Sequence, residues 1–236
     1  MKEQLCCHQP ISPCPRKVPI FSSLSDQEIA RIAKMTAHKS FEKGEGVIHE
    51  GEIADTLFIV NKGQVKLSKM TVDGKEQILN ILTSGEFFGE KHLFTTNEVH
   101  NCSVYAMENT EICLLTKQNF DQVLKANPDI AIKLLTVVTD RLTHVENLAQ
   151  NLATKDPGMR ISQMILEFSE KFGTKVKEGI VIDLPISREE MACYVGVTRE
   201  TVSRKFRMFE DLGLITSIGN KRLIIKDEMG LKEYCV

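Results

Sequence analysis

Five residues of one short stretch carry the groups that nucleic-acid recognition uses. Arg199, Glu200, Ser203, Arg204 and Arg207 supply three guanidinium forks, a carboxylate and a hydroxyl. A guanidinium pairs bidentately with a guanine edge or a phosphate. A carboxylate accepts from the cytosine amino group, and a hydroxyl bonds to either kind of group. Wound at about 100° per residue, the five fall within one arc of about 140°. Val202, Phe206 and Phe209 fall on the other side, which must face a core. From Thr198 to Arg207 four cations stand against one acid, while the whole 236-residue chain has a net charge of −2. The positive charge is concentrated on one helix face, unlike the spread charge of a diffuse polyanion binder.

Such a face needs a helix that starts and stops at defined points. Thr198 is an N-cap, and the apolar period runs to about Leu212, with Gly213 as the C′ residue. Ahead of it, Ser187 and Glu190 form a capping box for a shorter helix with Met191 and Val195 on its apolar edge. Gly196 turns the chain between the two. Two helices joined this way make a helix-turn-helix, whose second helix enters a major groove. Ser187 and Thr198, at the two helix starts, join the five as candidate DNA contacts. An amphipathic helix from Met159 to Gly173 (Ile161, Ile165, Phe168, Phe172) opens this domain. Leu214-Ile215-Thr216 and Arg222-Leu223-Ile224-Ile225 flank Gly219-Asn220. That hairpin reads as a wing, with Lys221 and Arg222 able to reach phosphates.

The segment VGVTRETVSRKFRMFEDLGLI resembles the winged helix-turn-helix of the Crp/Fnr family of bacterial regulators, and the family's other parts occur in order along nearly the whole chain. The resemblance implies an α+β fold: an N-terminal cyclic-nucleotide-binding-like β-roll, a long dimerisation helix and a C-terminal winged helix-turn-helix. The divisions expected are an arm at 1–19, the roll at 20–126, the long helix at 127–156 and the DNA-binding domain at 157–236. By the same resemblance, Arg199 and Arg204 each take a guanine, and Glu200 accepts from the cytosine opposite. Ser203 is the residue the Fnr branch uses for a thymine. Half-sites near TGTGA, with tolerance for TTGAT, follow from that set, and RNA polymerase follows as a partner.

The roll is also legible in the residues themselves. Ser25 caps a helix with Glu28 at N3, and Ile29, Ile32 and Ala33 make its apolar side. From about Phe41 to Thr116 short β-branched and aromatic runs alternate with glycines, and Gly63 and Asp73-Gly74 signal hairpins. In cyclic-AMP-binding relatives a Gly-Glu pair holds the ribose hydroxyl, and an Arg-Ser pair eleven residues on takes the cyclic phosphate. Here Gly89 and Glu90 stand at the first pair, His100 and Asn101 at the second. Without the arginine a buried phosphate loses its bidentate partner, so a cyclic nucleotide is not expected. Glu90 is expected to pair within the roll, and His100 to sit in solvent.

Seven cysteines lie at 6, 7, 14, 102, 113, 193 and 235. Cys6, Cys7 and Cys14 crowd an arm with Pro10, Pro13 and Pro15, which reads as unpacked. Cys113 stands where the Fnr branch has its internal cluster ligand. The resemblance thus implies either a [4Fe-4S] cluster on Cys6, Cys7, Cys14 and Cys113, or, as in Fnr-like proteins of Gram-positive bacteria, a reversible disulfide between an arm cysteine and Cys113. The branch's Cys-x-x-Cys is absent, and adjacent Cys6 and Cys7 replace it. Cys193 reads as packing in the first reader helix.

Asn127-Pro128-Asp129 opens a long helical pattern that Asp156-Pro157-Gly158 ends. Leu134, Val138, Arg141, Val145, Leu148 and Leu152 follow a coiled-coil seam, giving a homodimer. Arg141 is expected to reach Asp140 or Glu146 of the partner.

With the resemblance, these features lead to the expectation of a cytoplasmic, homodimeric, sequence-specific DNA-binding regulator that senses oxygen or redox state. The alternative is a regulator responding to a metabolite held in the roll. No apolar run reaches the roughly 20 residues of a membrane span, and the N-terminus lacks a secretory h-region. A thiol oxidoreductase would need Cys-x-x-Cys at a helix start. Neither that, nor a phosphate-binding glycine loop, nor a paired catalytic motif is present, so an enzyme is excluded.

Overall fold

The computed structural model describes residues 4–5, 14–95, 98–154 and 156–234. The chain forms two compact units, Met1–Arg141 and Leu142–Val236.

Strand β4 (Thr56–Lys62) organises the first unit. Its run from Leu57 to Val60 is buried on both faces, because a strand sends alternate side chains to opposite sides. Phe58 and Val60 point into a cluster between two antiparallel sheets, with Ile48, Val65, Leu82, Phe88, Val104 and Ile112. Leu57 and Ile59 point the other way, into a second cluster with Phe21, Ile29, Cys113, Phe120, Ile130 and Leu134. One sheet has the order β1 (Gln4–Leu5), β2 (Ala37–Phe41), β9 (Thr110–Thr116), β4, β7 (Phe87–Phe88). The other has the order β3 (Gly46–Ile48), β8 (Ser103–Ala106), β5 (Gln64–Met70), β6 (Glu76–Thr83). Helix α1 (Asp26–Met35), with the Ser25–Glu28 capping box formed, and α2 (Lys117–Ala126) contribute to the outer cluster.

The described parts of the arm, 4–5 and 14–19, are packed against the first unit. Gln4–Leu5 adds an edge strand to β2, pairing Gln4 with His38 and Leu5 with Ala37. Pro15 and Val18 are buried, and Arg16 ties the segment to Asp26 and the Leu24 carbonyl. The apolar Val18-Pro19-Ile20-Phe21 run needs a core, and the outer cluster supplies it.

Helix α3 (Asp129–Thr154) corrects the expected seam. Ile130 and Leu134 are buried in the sensor core, with Val137 packed against it. Arg141, one heptad beyond Leu134, continues that inward face. Its Nη1 donates to Glu90 Oε1 at 2.5 Å and its Nη2 to the Phe87 carbonyl at 2.6 Å, while the guanidinium lies over the Phe87 ring. Glu90 is only 4% exposed, so its charge needs this partner. Arg141 is thus held within its own subunit, and Glu90 pairs with the helix instead of within the roll. Ile132, Leu135, Val138, Leu142 and Val145 are the exposed large apolar positions among the described residues of α3, and Leu142 is 56% exposed. The stripe of Leu135, Val138, Leu142 and Val145 keeps two of the expected members and is centred about 60° around the helix from the stripe expected. The side chains of Leu148 and Leu152 lie outside the described residues.

Gly89 prepares the Glu90 site. Its φ is +88°, and a Cβ there would stand 2.5 Å from the Thr56 carbonyl oxygen. The short helix Glu90–Leu93 begins immediately after it.

In the second unit, α4 (Pro157–Phe172) packs against α5 (Arg188–Val195), α6 (Arg199–Asp211) and α7 (Glu228–Glu233). Asp156 caps α4, accepting from the Gly158 N–H and from Lys205 Nζ at 2.9 Å. The antiparallel sheet has the order β10 (Gly173–Val176), β11 (Gly179–Asp183), β13 (Arg222–Ile225), β12 (Ile215–Ile218). The β12–β13 hairpin is the expected wing. The β10–β11 hairpin was not anticipated, although its Val/Ile run beside Glu178-Gly179 is a strand and turn signal.

Replacing Arg141 with alanine leaves a buried carboxylate unpaired. It should destabilise the sensor unit by about 2–3 kcal/mol, and Glu90→Gln by less. Urea unfolding checks this. A loss below about 0.5 kcal/mol for Arg141→Ala would mean that the pair does not hold the helix.

Candidate functional site

The recognition face is built as its sequence requires. Thr198 caps α6 by accepting from the Thr201 N–H, and Gly196, with φ +72° and ψ +46°, closes α5 in the left-handed region. Val202, Phe206 and Phe209 are buried, whereas Arg199, Glu200, Ser203, Arg204 and Arg207 are all exposed. All five polar groups therefore project from one anchored helix. Lys205 is the exception among the cations, because Asp156 neutralises it. The remaining face carries three arginines and one acid. The Glu200 carboxyl is held below its usual range by the N–H of its own residue, by the Thr198 hydroxyl and by Arg199. It is therefore an ionised acceptor at neutral pH.

Ser187 has less to offer a ligand than expected. Its hydroxyl accepts from the Glu190 N–H and donates to Glu190 Oε2, and its own N–H bonds the same carboxylate. The capping box occupies it. In the wing, Arg222 Nε donates to Asp183 Oδ1 at 2.8 Å, while Lys221 is exposed.

Two arginines outside the expected set position the reader. Arg188 lies 3.3 Å from the centre of the Phe206 ring and donates to Ser217 Oγ at 3.2 Å, joining α5, α6 and β12. Burial lowers its pKa to about 10, against the pull of Glu210. It stays charged at neutral pH and supplies a cation–π contact. Arg160 donates to the carbonyls of Val195 and Gly196 at the end of α5. A cation there complements the negative end of the helix dipole. Both residues were legible only as charged positions on amphipathic helices. The partners that define their roles are distant in sequence.

The roll's diagnostic positions depart from expectation at His100. It is 6% exposed, not solvent-facing. Its ring stands edge-on to Phe58, which stacks on Phe88 at 5.0 Å. The His100 backbone N–H donates to the Glu52 carbonyl, and its carbonyl accepts from the Gly51 N–H. Asn101 is exposed. Glu90, at the ribose-binding position of the resemblance, is engaged by Arg141.

Cys113 is fully buried on β9 and is disulfide-bonded. Its cross-strand neighbour is His38, whose Nδ1 lies 3.5 Å from Cys113 Sγ. Burial holds the His38 imidazole below its ordinary pKa, with Glu111 pulling it upward. Cys6 and Cys7 lie outside the described residues, as does the side chain of Cys14. Cys102 and Cys193 are half-buried and in no disulfide, and burial raises the Cys102 thiol. The residues present do not fit a [4Fe-4S] cluster at Cys113. Its sulfur is already bonded and is enclosed by an apolar cluster that includes Val18, Leu57 and Leu115. Among the described residues no group of three or more His, Cys, Asp or Glu is arranged to hold a metal ion.

Comparison with known proteins places both units. Residues 38–127 match the cyclic nucleotide-binding domain family and residues 159–234 the Crp-like helix-turn-helix domain family. The cAMP-activated global transcriptional regulator CRP of Pasteurella multocida is 35% identical over 73% of this chain and 82% of its own. A CRP-like cAMP-activated global transcriptional regulator of Mycobacterium tuberculosis is 29% identical over 89% of this chain and 93% of its own. Among solved structures, FixK2 from Bradyrhizobium japonicum has a TM-score of 0.75 at 24% identity, covering 85% of this chain and 98% of its own.

Proposed function

We propose, from the premise that this chain belongs to the Crp/Fnr family of transcription regulators, that it reads a palindromic operator as a homodimer and is switched by the redox state of Cys113. It is a DNA-binding transcription regulator and not an enzyme. Among the described residues no helix is long and apolar enough to cross a membrane. Its place of work is the cytoplasm, with RNA polymerase as its further partner.

The observation that carries the DNA reading is the exposed arc of Arg199, Glu200, Ser203, Arg204 and Arg207 on a helix anchored by Val202, Phe206 and Phe209. Arg199 and Arg204 each take a guanine, and Glu200 accepts from a cytosine amino group. Ser203 widens the half-site from TGTGA toward TTGAT. Arg207 and Lys221 bind phosphates. The Thr198 cap fixes where the helix begins, and hence the depth of the reading residues.

The homodimer forms through the outward face of α3, with Leu135, Val138, Leu142 and Val145 meeting the same residues of a second copy. A self-complementary apolar stripe is what a twofold interface requires. Two readers related by a twofold axis need a palindrome.

The signal is assigned to thiols and not to a cyclic nucleotide. Two relatives are described as cAMP-activated, and in this chain the phosphate-binding position holds His100, packed against Phe58. Glu90 is already paired with Arg141. The disulfide at Cys113 lies in the same apolar cluster as Ile130 and Leu134, at the root of α3. Opening it alters the packing of the cluster that holds the residues setting the rotation of that helix. The bias required is small. A tenfold change in operator affinity corresponds to about 1.4 kcal/mol.

Arg204→Ala should lose about 1–3 kcal/mol at one base pair of the half-site and leave discrimination elsewhere intact, measured by competition with singly substituted operators. A uniform loss across all sequences would make Arg204 a phosphate contact. Operator affinity of the parent should differ by about tenfold between oxidised glutathione and dithiothreitol, and Cys113→Ala should remove the difference. Alanine suits the apolar site better than serine. Equal affinities for the parent in the two buffers would end the redox assignment.

A further inference from the structure

The Cys113 sulfur presents a chemical difficulty that its surroundings resolve in one way. A disulfide is reduced when a thiolate attacks one sulfur and the other leaves as a thiolate. Cys113 is fully buried, which closes its own sulfur to direct attack and leaves it the role of leaving group. A thiolate released among Leu57, Leu115, Ile130 and Leu134 would be an unsolvated anion. His38, its partner across the β2–β9 ladder, places Nδ1 3.5 Å and Nε2 3.7 Å from the sulfur. His38 is half-buried, not sealed in the core as Cys113 is.

We propose that His38 is the proton partner of Cys113 in the redox switch: its ring N–H stabilises the departing thiolate and sets the rate of reduction. This rests on the redox reading of Cys113 given above. The reductant is a dithiol. One of its thiolates bonds to the sulfur attached to Cys113, and the old S–S bond breaks with its electron pair moving to Cys113 Sγ. The ring N–H donates to that sulfur and passes its proton, and the ring and the other released cysteine are then reprotonated from solvent, which took up the two protons the reductant's thiols had lost. The second thiolate of the reductant then attacks the mixed disulfide, releases the other cysteine and closes its own ring disulfide. Two electrons pass from the dithiol to the protein, whose two sulfurs end as thiols. In the oxidising direction the same ring accepts the Cys113 proton.

His38 is held in place for this task by the sheet itself. The β1 strand pairs with β2 at His38, on the side away from Cys113, so the histidine lies in the middle of a three-strand row. Glu111, two residues along β9 from Cys113, is hydrogen-bonded by Asn61, which in turn accepts from Lys17. The nearby carboxylate is therefore tied into its own network.

The test uses the full-length oxidised protein. Reduction by dithiothreitol is followed by quenching with an alkylating agent and mass spectrometry. The comparison is between His38→Phe and His38→Leu, which lack a donor, and His38→Gln, which keeps one. Two donor-free variants are used so that a folding failure of one leaves the test standing, with circular dichroism reporting the fold. Both should reduce about tenfold or more slowly than the parent, and His38→Gln should recover most of the rate. A folded donor-free variant that reduces at the parent's rate would overturn the role of His38. So would a His38→Gln variant as slow as the leucine one, because the effect would then be one of shape. A parent protein with no disulfide at Cys113 after oxidation would reject the redox reading itself, and this inference with it.

Discussion

The rotation of α3 about its own axis is the constraint on which the first unit depends. Three contacts set it. Ile130 and Leu134 are buried against the outer face of the β-roll, and Arg141 closes on Glu90 and the Phe87 carbonyl. The apolar contacts are non-directional and would tolerate some turning. The guanidinium–carboxylate pair would not, because a bidentate group engaging two fixed oxygens allows one geometry. Everything displayed on the opposite side follows from that choice, including the Leu135–Val145 stripe. The β4 strand makes the arrangement possible, since its Leu57 and Ile59 carry the roll's core through to the helices.

The same constraint explains what could and could not be read from the chain. A heptad pattern reports that a helix has an apolar stripe, not which of two adjacent stripes faces its own domain. Leu134 and Arg141 fit a seam by spacing alone, and Val138 and Val145 serve either register. The deciding fact is a salt bridge to Glu90, 51 residues away. His100 misled for a related reason. Its neighbours read as a loop, but Phe58 and Phe88 are distant in sequence and build an aromatic wall behind it. By contrast, the capping boxes at Ser25 and Ser187, the turn at Gly196 and both faces of α6 were legible. They are local features, settled within one or two helical turns.

The two ends of the chain handle charge in opposite ways. On the reader, Lys205 is paired with Asp156 and Arg188 of α5 lies over Phe206, while Arg199, Arg204 and Arg207 of α6 remain exposed. In the sensor unit the important ions are buried and paired. A surface cation is thus available to a polyanion, whereas the Glu90–Arg141 pair serves to specify geometry. Cys113 fits the second pattern. It is a reactive atom placed in a core, with His38 as its polar neighbour and the root of α3 as its apolar one. On the redox reading proposed above, chemistry at that sulfur acts on the cluster that seats the helix whose rotation matters most.

Sedimentation velocity of two single variants tests the central claim most directly. Leu142 lies on the outward stripe at 56% exposure, and Asp140 is an exposed polar position on the same helix. A carboxylate at position 142 would be buried without a partner if the stripe is a twofold interface. Leu142→Asp should therefore convert the dimer to a folded monomer at micromolar concentration, while Asp140→Asn sediments as the parent does. A Leu142→Asp protein that remains dimeric would contradict the account, because the outward stripe would then not be where two copies meet.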